Sequence, residues 1–283
     1  MDIKIACCLC VRDCYNYLQK IFQNLDLLSK EFVNFYVIFV YDNCQDDSSI
    51  LLEEYKQKSP FKVFIVNNIG NNDPNRTARI ANARNKCLDV IYNLIRDLDF
   101  HIMIDADDVN EKKWNINLIK QYLLENTWDS LSFNRRKYYD IWALLYDKYK
   151  YHCWGYDLND SIMIRDHMKK EITNILKNLN TDLFECYSAF NGFAIYRTPI
   201  FSDLTYDGFF KSIREYITDK EMLETVEHLS NKLDIKLKPA ENLLTIQPGY
   251  PVQCEHLTFH LSAIKKKNAR IRISKHFIDS EDI

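Results

Sequence analysis

The stretch "HIMIDADDVN" (residues 101–110) joins an apolar run to three aspartates, Asp105, Asp107 and Asp108. The apolar part has the length of a strand and no polar face, so we expect a strand that is buried on both sides. Carboxylates that gather where such a strand ends repel one another unless a cation joins them. The stretch therefore predicts a buried strand within a covered sheet, and a cation site at the edge of that sheet.

Similar apolar runs precede this one, and each is followed by a segment whose apolar residues recur at helical spacing. The predicted strands are residues 3–11, 35–42, 62–66 and 100–104, and the predicted helices are residues 14–28, 46–58 and 79–98. Buried strands that alternate with helices are typical of a parallel sheet covered on both faces. We therefore predict the α/β class with a mostly parallel central sheet flanked by helices, in which ligands bind beyond the carboxyl ends of the strands.

The second half of the chain is less regular. We predict strands at residues 128–134 and 188–197 and an amphipathic helix at residues 218–233. No low-complexity linker and no internal repeat divides the 283 residues. We therefore expect a single domain over residues 1–283, in which the second half elaborates the first.

Composition argues against several classes of protein. The net charge of −3 and the isoelectric point of about 6.2 oppose bulk electrostatic binding of nucleic acid. No apolar run reaches the roughly 18–20 residues that span a bilayer, and we expect neither a transmembrane segment nor a signal peptide. The nine cysteines are odd in number and form no pair of C-x-x-C motifs, so we expect reduced thiols in a cytoplasmic protein.

Asp105 and Asp107 are separated by one residue, so in an extended chain their side chains project to the same side. Two such carboxylates supply the hard oxygen ligands that Mg²⁺ and Mn²⁺ prefer, and the ion would bring a substrate diphosphate with it. The plainer alternative is a solvated acidic turn that caps a helix near Asn110. The position of the motif at the predicted ligand-binding edge favours the metal site.

Other polar residues point to the same edge of the sheet. Asp42 follows the second predicted strand, as Asp105 follows the fourth. Arg76 and Arg79 lie within one turn of each other on the next predicted helix, and Arg84 lies two turns on. A basic face near a helix start suits a phosphate group, whereas the commoner role of such a face is simply to be solvated.

As an ordered set, five segments in about the first 200 residues resemble glycosyltransferases of the GT-A fold: "VYDNCQDDS", "RTARIANARN", "IMIDADD", "YYDIWAL" and "SAFNGFAIYR". Two of them, "RTARIANARN" and "YYDIWAL", are similar to segments of glycosyltransferase-like proteins of large DNA viruses and of the fungal capsule-associated mannosyltransferase-like group. In a viral protein the cytoplasm would be that of the host. The resemblance implies metal-dependent transfer of a hexose from a nucleotide-diphosphate sugar to a glycan or glycoprotein acceptor.

The resemblance assigns residues 1–110 to nucleotide binding and implies a donor site made of Cys10, Val11, Arg12, Asp13, Asp42, Arg79, Arg84, Asp105, Ala106 and Asp107. Asp107 would be the main ligand of Mn²⁺ or Mg²⁺, and Asp105 would contact the ion or the ribose. Arg12 departs from the commoner Tyr or Asn of the family and leaves the base open. Enzymes of this fold often add a late histidine to the metal, here His256 or His260, which face the same way if residues 254–260 are extended.

Residues 111–283 would hold the acceptor and a C-terminal flap. Trp142, Asn191 and Gly192 are the predicted acceptor contacts, in a segment that also offers the ring of Tyr139 for stacking on a sugar. Core packing is the commoner task of any one aromatic side chain.

An inverting enzyme needs a carboxylate to take the proton of the acceptor hydroxyl, and Asp140 and Glu255 are the candidates. The stretch "KKKNARIRISK" (residues 265–275) is predicted to close over the diphosphate as a cationic flap, with a solvated tail as the alternative. Whether the enzyme inverts stays open at this point.

Two other functions remain open. A phosphohydrolase of the haloacid dehalogenase type also has a strand that enters D-x-D, with Asp105 as nucleophile and Asp107 as general acid. Against it, that motif normally lies on the first strand, and about 100 residues precede it here. A non-catalytic nucleotide- or carbohydrate-binding module is the third possibility, which the intact D-x-D opposes, although a fold alone does not establish a function.

Overall fold

The computed structural model describes residues 1–239 and 252–280. Its strands are β1 (Lys4–Val11), β2 (Asn34–Tyr41), β3 (Lys62–Asn67), β4 (Phe100–Asp105), β5 (Ser130–Asn134), β6 (Leu183–Cys186), β7 (Phe193–Arg197) and β8 (Ile271–Phe277). All eight belong to one sheet, in the order β3-β2-β1-β4-β7-β5-β8-β6. The Pro-Gly segment "QPGYP" (residues 247–251), whose composition predicts a loop, lies outside the described residues.

The helices of the described ranges are α1 (Tyr15–Ser29), α2 (Ser48–Lys58), α3 (Arg76–Val90), α4 (Ile116–Leu123), α5 (Leu158–Asn178), α6 (Phe210–Ile213), α7 (Asp219–Leu233) and α8 (Glu255–Lys267). The first three and α7 confirm the helices that periodicity predicts. Helices α4, α5, α6 and α8 are not among the predicted elements. No helix within residues 1–239 and 252–280 combines the length and the apolar character needed to span a membrane.

Strands β1 to β4 are parallel neighbours, and β7 runs antiparallel between β4 and β5. The predicted α/β class with a mostly parallel central sheet is thereby confirmed. In this register Cys10 of β1 lies beside both Val40 of β2 and Asp105 of β4. The carboxyl ends of these three strands therefore meet at one place on the edge of the sheet.

The two faces of the sheet bury separate apolar layers, as the alternation along β1 shows. Ile5, Cys7 and Leu9 pack in the layer that includes residues of α1, α2 and α4, whereas Ala6 and Cys8 pack in the layer of α3 and α8. A strand covered on both sides has no polar face, which explains the unbroken run "IACCLC". The nine cysteines are all free thiols, and most of them are core residues.

The structure corrects two expectations for the C-terminal segment. Residues 254–260 are not extended but enter α8, which has Glu255 in its first turn and three lysines in its last, a charge order that suits the helix dipole. The predicted flap is not a flap either. Its second part is β8, which pairs with both β5 and β6, and Arg270 is held by Asp129 with 2.9 Å between Nε and Oδ2. The alternation of Ile and Arg at residues 270–273 is thus the period of a strand within the sheet.

The sheet draws strands from residues 1–110 and from residues 111–283. The assignment of the first part to the nucleotide and of the second to the acceptor stays a prediction.

Candidate active site

A cleft of about 370 Å³ opens at the carboxyl ends of β1, β2 and β4, beside the start of α3. It has the size of a small-molecule site and lies where parallel sheets bind ligands. Its walls contain nine of the ten residues predicted for the nucleotide sugar, namely Cys10, Val11, Arg12, Asp42, Arg79, Arg84, Asp105, Ala106 and Asp107. Cys14, Val40, Arg76, Ile80 and Ala83 complete the lining.

The tenth predicted residue, Asp13, does not line this cleft. It is exposed, and its Oδ1 accepts a hydrogen bond of 2.6 Å from the backbone N–H of Gln45. Asp13, Cys44 and Asp46 bring three potential metal-ligand atoms within 4.8 Å of one another. Among the described residues this is the one group of three that does so.

Asp105 is held in place by hydrogen bonds to both of its carboxylate oxygens. Oδ1 lies 3.0 Å from Nη2 of Arg84, and Oδ2 accepts a hydrogen bond of 3.1 Å from the hydroxyl of Tyr139. Its backbone N–H donates to the carbonyl of Gly192, the residue before β7, at 3.0 Å. The orientation of this carboxylate is therefore set by the protein before any ligand arrives.

Asp107 has a different environment from Asp105. It is half-buried, and the backbone N–H of Val109, 3.3 Å from Oδ1, is its one hydrogen-bond donor within the described part of the chain. Burial, and then the negative charge of Asp105, raise the pKa of Asp107 to about 7. A carboxylate that is desolvated beside a like charge is stabilised by a cation, and Asp107 pairs with none among those residues. Asp108 is exposed and begins a 3₁₀ turn.

The residues of the site thus fit a divalent cation in part. Asp107 offers a free carboxylate oxygen, and each oxygen of Asp105 accepts one hydrogen bond and keeps a lone pair. Mg²⁺ is often held by one or two carboxylates, with water and substrate phosphates as its remaining ligands. The donor set Asp105 and Asp107 is compatible with that pattern.

The loop that carries the aspartates is anchored by two buried residues that the sequence analysis did not single out for this task. The amide of Asn110 donates to the carbonyls of Asp105 and Gly192, at 2.8 and 2.9 Å, and its Oδ1 accepts from Nη2 of Arg135, at 2.7 Å. Arg135 also donates to the carbonyl of Val109 and to Oδ1 of Asp279, both at 2.6 Å. The guanidinium therefore ties the loop after β4 to the segment after β8.

We expect Arg135→Met to lower the free energy of unfolding by about 3 kcal/mol, because it leaves Asp279 and the carbonyls of Val109 and Asn191 without their donor. Arg136 is the matched control, since it is the next residue and is exposed. Its replacement by Met should change the free energy of unfolding by less than about 0.5 kcal/mol. Urea denaturation of both variants measures the difference, and equal stability would contradict the anchoring role.

Asn191 and Gly192 were predicted to contact the acceptor, but both are buried within the protein. Asn191 is fully buried, and its side chain accepts from the backbone N–H groups of Tyr139 and Asp140, at 3.1 and 3.4 Å, and donates to the carbonyl of Phe133 at 2.9 Å. Gly192 receives hydrogen bonds from Asp105 and Asn110 on its carbonyl. Both residues position the aspartate loop and the segment that carries Asp140.

We expect Gly192→Ala to destabilise the protein by about 3 kcal/mol and to weaken binding in the cleft. Its φ is +80°, and an added Cβ would lie 2.5 Å from the hydroxyl of Tyr139 and 2.9 Å from Cγ2 of Val109. Gly70 is the control, because its φ is +87° but nothing lies within 4 Å of the added atom. Gly70→Ala should therefore cost about 1 kcal/mol, the strain of the backbone alone. Thermal unfolding of the two variants checks the contrast, and similar shifts would argue against close packing at Gly192.

Contrary to the prediction, Arg84 does not present a free charge to the cleft. Its side chain is only 5% exposed, and it contacts two carboxylates, with 3.0 Å from Nη2 to Asp105 and 3.3 Å from Nε to Glu255. Burial alone would lower the pKa of Arg84, but Glu255 and Asp105 outweigh it and raise that pKa above its usual value. The guanidinium also lies 4.4 Å from the ring of Phe190. Arg84 is therefore a bridge between α8 and the D-x-D motif.

Glu255 is the opposite end of that bridge and does not line the cleft. Burial raises its pKa, while the nearby charge of Arg84 lowers it. A carboxylate that is buried against an arginine is badly placed to accept a proton from an acceptor. The structure thus gives Glu255 a positioning role in place of the predicted base.

The late histidines also lie away from the predicted metal. His256 is buried, with Nδ1 3.4 Å from Nη1 of Arg84, and His260 is buried against the hydroxyls of Ser188 and Tyr196, at 2.9 and 3.1 Å. Burial, and then the charge of Arg84, lower the pKa of both rings. Within the described ranges neither ring joins Asp105 and Asp107 in a set of three close ligand atoms. The two rings do face the same way, with 5.6 Å between their centroids, but the reason is their i, i+4 spacing on α8 and not an extended segment.

Asp140 remains a candidate base: like Glu255 it is not part of the lining of the cleft, but unlike Glu255 it forms no ion pair within the described part of the chain. Its Oδ1 accepts from the N–H of Ala143 and its Oδ2 from the N–H of Asn191, at 3.2 and 3.3 Å. Burial, and then the charge of Asp105, raise the pKa of Asp140 to about 7, which suits proton transfer near neutral pH. Trp142 nearby is half-buried, and its indole N–H has no hydrogen-bond partner in the described part of the chain. Its contact with an acceptor stays a prediction.

No protein-family model and no curated protein matches the chain. Among solved structures it is similar to TarS 1–349 of S. aureus, with 16% identity, a TM-score of 0.41, and coverage of 80% of this chain and 55% of that one. It is also similar to the mannosyltransferase PcManGT from Pyrobaculum calidifontis in complex with GDP-Man and Mn²⁺, with 13% identity over 73% of this chain and 48% of that one and a TM-score of 0.41.

A further similar structure is the glucosyl-3-phosphoglycerate synthase of M. tuberculosis, with 10% identity, a TM-score of 0.42 and coverage of 89% of both chains. The chain spans about half of the TarS and PcManGT chains. The resemblance to viral and fungal groups stays a prediction. These similarities assign no activity to the chain.

Proposed function

We propose that this protein is a metal-dependent glycosyltransferase of the GT-A type, which transfers a hexose from a nucleoside-diphosphate sugar to a hydroxyl group of a glycan or glycoprotein. The observation that carries the proposal is the state of Asp107. It is a half-buried carboxylate beside Asp105, it has no cation partner among the described residues, and its pKa is raised to about 7. Its cleft lies at the carboxyl edge of a parallel sheet, beside Asp42 and the arginines of α3.

The chain's own residues divide the work of the proposed reaction. Asp107 and Asp105 would hold Mn²⁺ or Mg²⁺, and Arg84 and Tyr139 orient Asp105 for that task. The bound ion would supply Lewis-acid stabilisation of the charge that grows on the departing diphosphate. Asp140 would accept the proton of the acceptor hydroxyl, since its pKa of about 7 allows it to take up a proton near neutral pH.

The contacts of Asp105 also weigh against a phosphohydrolase. A nucleophilic carboxylate oxygen must turn towards the phosphorus atom, whereas the hydrogen bonds from Arg84 and Tyr139 already fix the direction of both oxygens of Asp105 and leave each with one lone pair. The same strand is the fourth in the chain and not the first.

The test is a panel of nucleoside diphosphates and nucleotide sugars, each with Mn²⁺, with Mg²⁺ and with a chelator. We expect one nucleoside diphosphate to raise the unfolding temperature only when a divalent ion is present, because a ligand of the native state stabilises it by about 2.7 kcal/mol at 100 times its Kd. The corresponding nucleotide sugar should be slowly hydrolysed under the same conditions. If no donor binds or is hydrolysed, the proposal fails. Hydrolysis of simple phosphomonoesters would support the phosphohydrolase instead, and binding without turnover in the presence of an acceptor would support a binding module.

A further inference from the structure

Four arginines line the cleft, and three of them are already occupied by other groups of the protein. Arg84 lies between Asp105 and Glu255. Nη1 of Arg79 donates to the backbone carbonyls of Asp73 and Pro74, at 2.6 and 3.1 Å, and so supports the loop that enters α3.

Arg12 and Arg76 are the two exposed arginines of the cleft. Arg12 has a carboxylate beside it, with 4.0 Å between its Nε and Oδ2 of Asp13. Arg76 has no hydrogen bond and no ion pair with any residue of the described ranges, although it lines the same cleft as Asp107. It is therefore the one arginine of the four that forms no hydrogen bond or ion pair with those residues, and its charge acts within the protein only at longer range, where it lowers the pKa of Glu255.

The backbone beneath Arg76 is held firmly. The hydroxyl of Thr77 donates to the carbonyl of Gly208 at 3.0 Å. Gly208 packs so closely on the start of α3 that an added Cβ would lie 2.5 Å from the carbonyl carbon of Thr77. The side chain of Arg76 thus extends from a fixed point at the rim of the cleft, and a ligand that binds it need not order the backbone first.

The charges of the cleft explain why a free arginine is needed there. The lining holds three carboxylates, those of Asp42, Asp105 and Asp107, and four arginines, of which Arg84 is shared between Asp105 and Glu255. A divalent ion at Asp107 would offset much of that negative charge, but a diphosphate brings further negative charge of its own. An arginine can bind two phosphate oxygens through its planar fork, which a hydrated ammonium group does less well.

We propose that Arg76 binds the diphosphate of the donor and makes the cleft select nucleoside diphosphates over nucleoside monophosphates. This inference rests on the proposed function for the identity of the donor. Arg84, which the sequence predicted for the nucleotide sugar in preference to Arg76, has the task of orienting Asp105. The two arginines have different tasks because Arg84 is buried between two carboxylates, whereas Arg76 is exposed and has no ion pair among the described residues.

The test compares the wild-type protein with Arg76→Gln and Arg76→Lys in Mn²⁺. Calorimetric titration with a nucleoside diphosphate, the matching nucleoside monophosphate and inorganic pyrophosphate gives the three affinities. Arg76→Gln should lower the affinity for the nucleoside diphosphate and for pyrophosphate by about tenfold or more. It should lower the affinity for the monophosphate by less than about threefold. Arg76→Lys should recover part of the loss, because it keeps the charge without the fork. Lys86→Gln is the control of equal charge, since Lys86 is exposed on α3 and does not line the cleft; it should leave all three affinities unchanged.

The outcomes separate this inference from the proposed function. Suppose that the wild-type protein binds a nucleoside diphosphate and that Arg76→Gln binds it equally well, or that the variant loses affinity for the diphosphate and the monophosphate by the same factor. The role of Arg76 is then overturned, and the glycosyltransferase stands. If pyrophosphate binds through Arg76 but no nucleoside diphosphate binds more tightly than pyrophosphate, the anion-binding role stands and the glycosyltransferase is overturned. Failure of the wild-type protein to bind either one overturns both.

Discussion

Asp107→Asn should reduce donor hydrolysis and sugar transfer by about three orders of magnitude, because the loss of a Lewis acid in the transition state costs several kcal/mol. An amide keeps the size of the side chain and removes the negative charge on which the proposed ion depends. The hydrogen bond from Val109 is to an oxygen, which the amide retains. Steady-state rates with the donor identified by the binding panel measure the loss, and added chelator should bring the wild-type protein to the same low rate.

Asp108→Asn is the matched control for Asp107, because Asp108 is the next residue and is exposed. We expect its rate to stay within a few-fold of the wild-type value. In metal-free buffer, Asp107→Asn should also unfold at a higher temperature than the wild-type protein, since it removes the repulsion between Asp107 and Asp105. A variant that is inactive but no more stable without metal would indicate a damaged loop, and an active variant would refute the metal site.

The second large effect is expected for Arg84→Met, which should lower the free energy of unfolding by about 3–5 kcal/mol. The methionine fills part of the space but leaves Glu255 buried without a cation, with its side chain only 6% exposed. Asp105 loses the donor that holds Oδ1, so the activity should fall as well. Urea denaturation without metal gives the stability, which separates the folding effect from any effect on the ion.

Glu255→Gln in the Arg84→Met background provides the control for that destabilisation. Because the double variant no longer buries an unpaired carboxylate at residue 255, it should recover about 1–3 kcal/mol relative to the sum of the single changes. The activity should not recover, since Asp105 still lacks Arg84. Strictly additive losses of stability would show that Arg84 and Glu255 do not act as a pair.

The sequence alone was sufficient to predict the first half of the fold and the place of the cleft. Apolar runs without a polar face identify β1 to β4, and helical spacing identifies α1 to α3, because both patterns are local consequences of burial. Once the strands are parallel, the residues that follow them must meet at one edge of the sheet. That geometry brought Asp42, Asp105 and Asp107 to one cleft, together with arginines from the next helix.

Elsewhere the local signals were present but misleading. The alternation of Ile and Arg in residues 270–273 is a real strand period, but it does not reveal whether the strand lies in the sheet or over the site. The acidic start and the lysines at the end of α8 are a helix signal that outweighed the expected extended segment.

The tertiary structure alone decided which charged side chains are free and which are engaged. Nothing in "RTARIANARN" distinguishes Arg84 from Arg76, and nothing in "NRRK" distinguishes Arg135 from Arg136. The difference lies in partners far along the chain, since Glu255 reaches Arg84 from α8 and Asp279 reaches Arg135 from beyond β8. The sequence thus determined that carboxylates and arginines share one edge of the sheet, because strand direction follows from burial. Packing between distant segments determined which of them are buried in ion pairs and which remain open to a ligand.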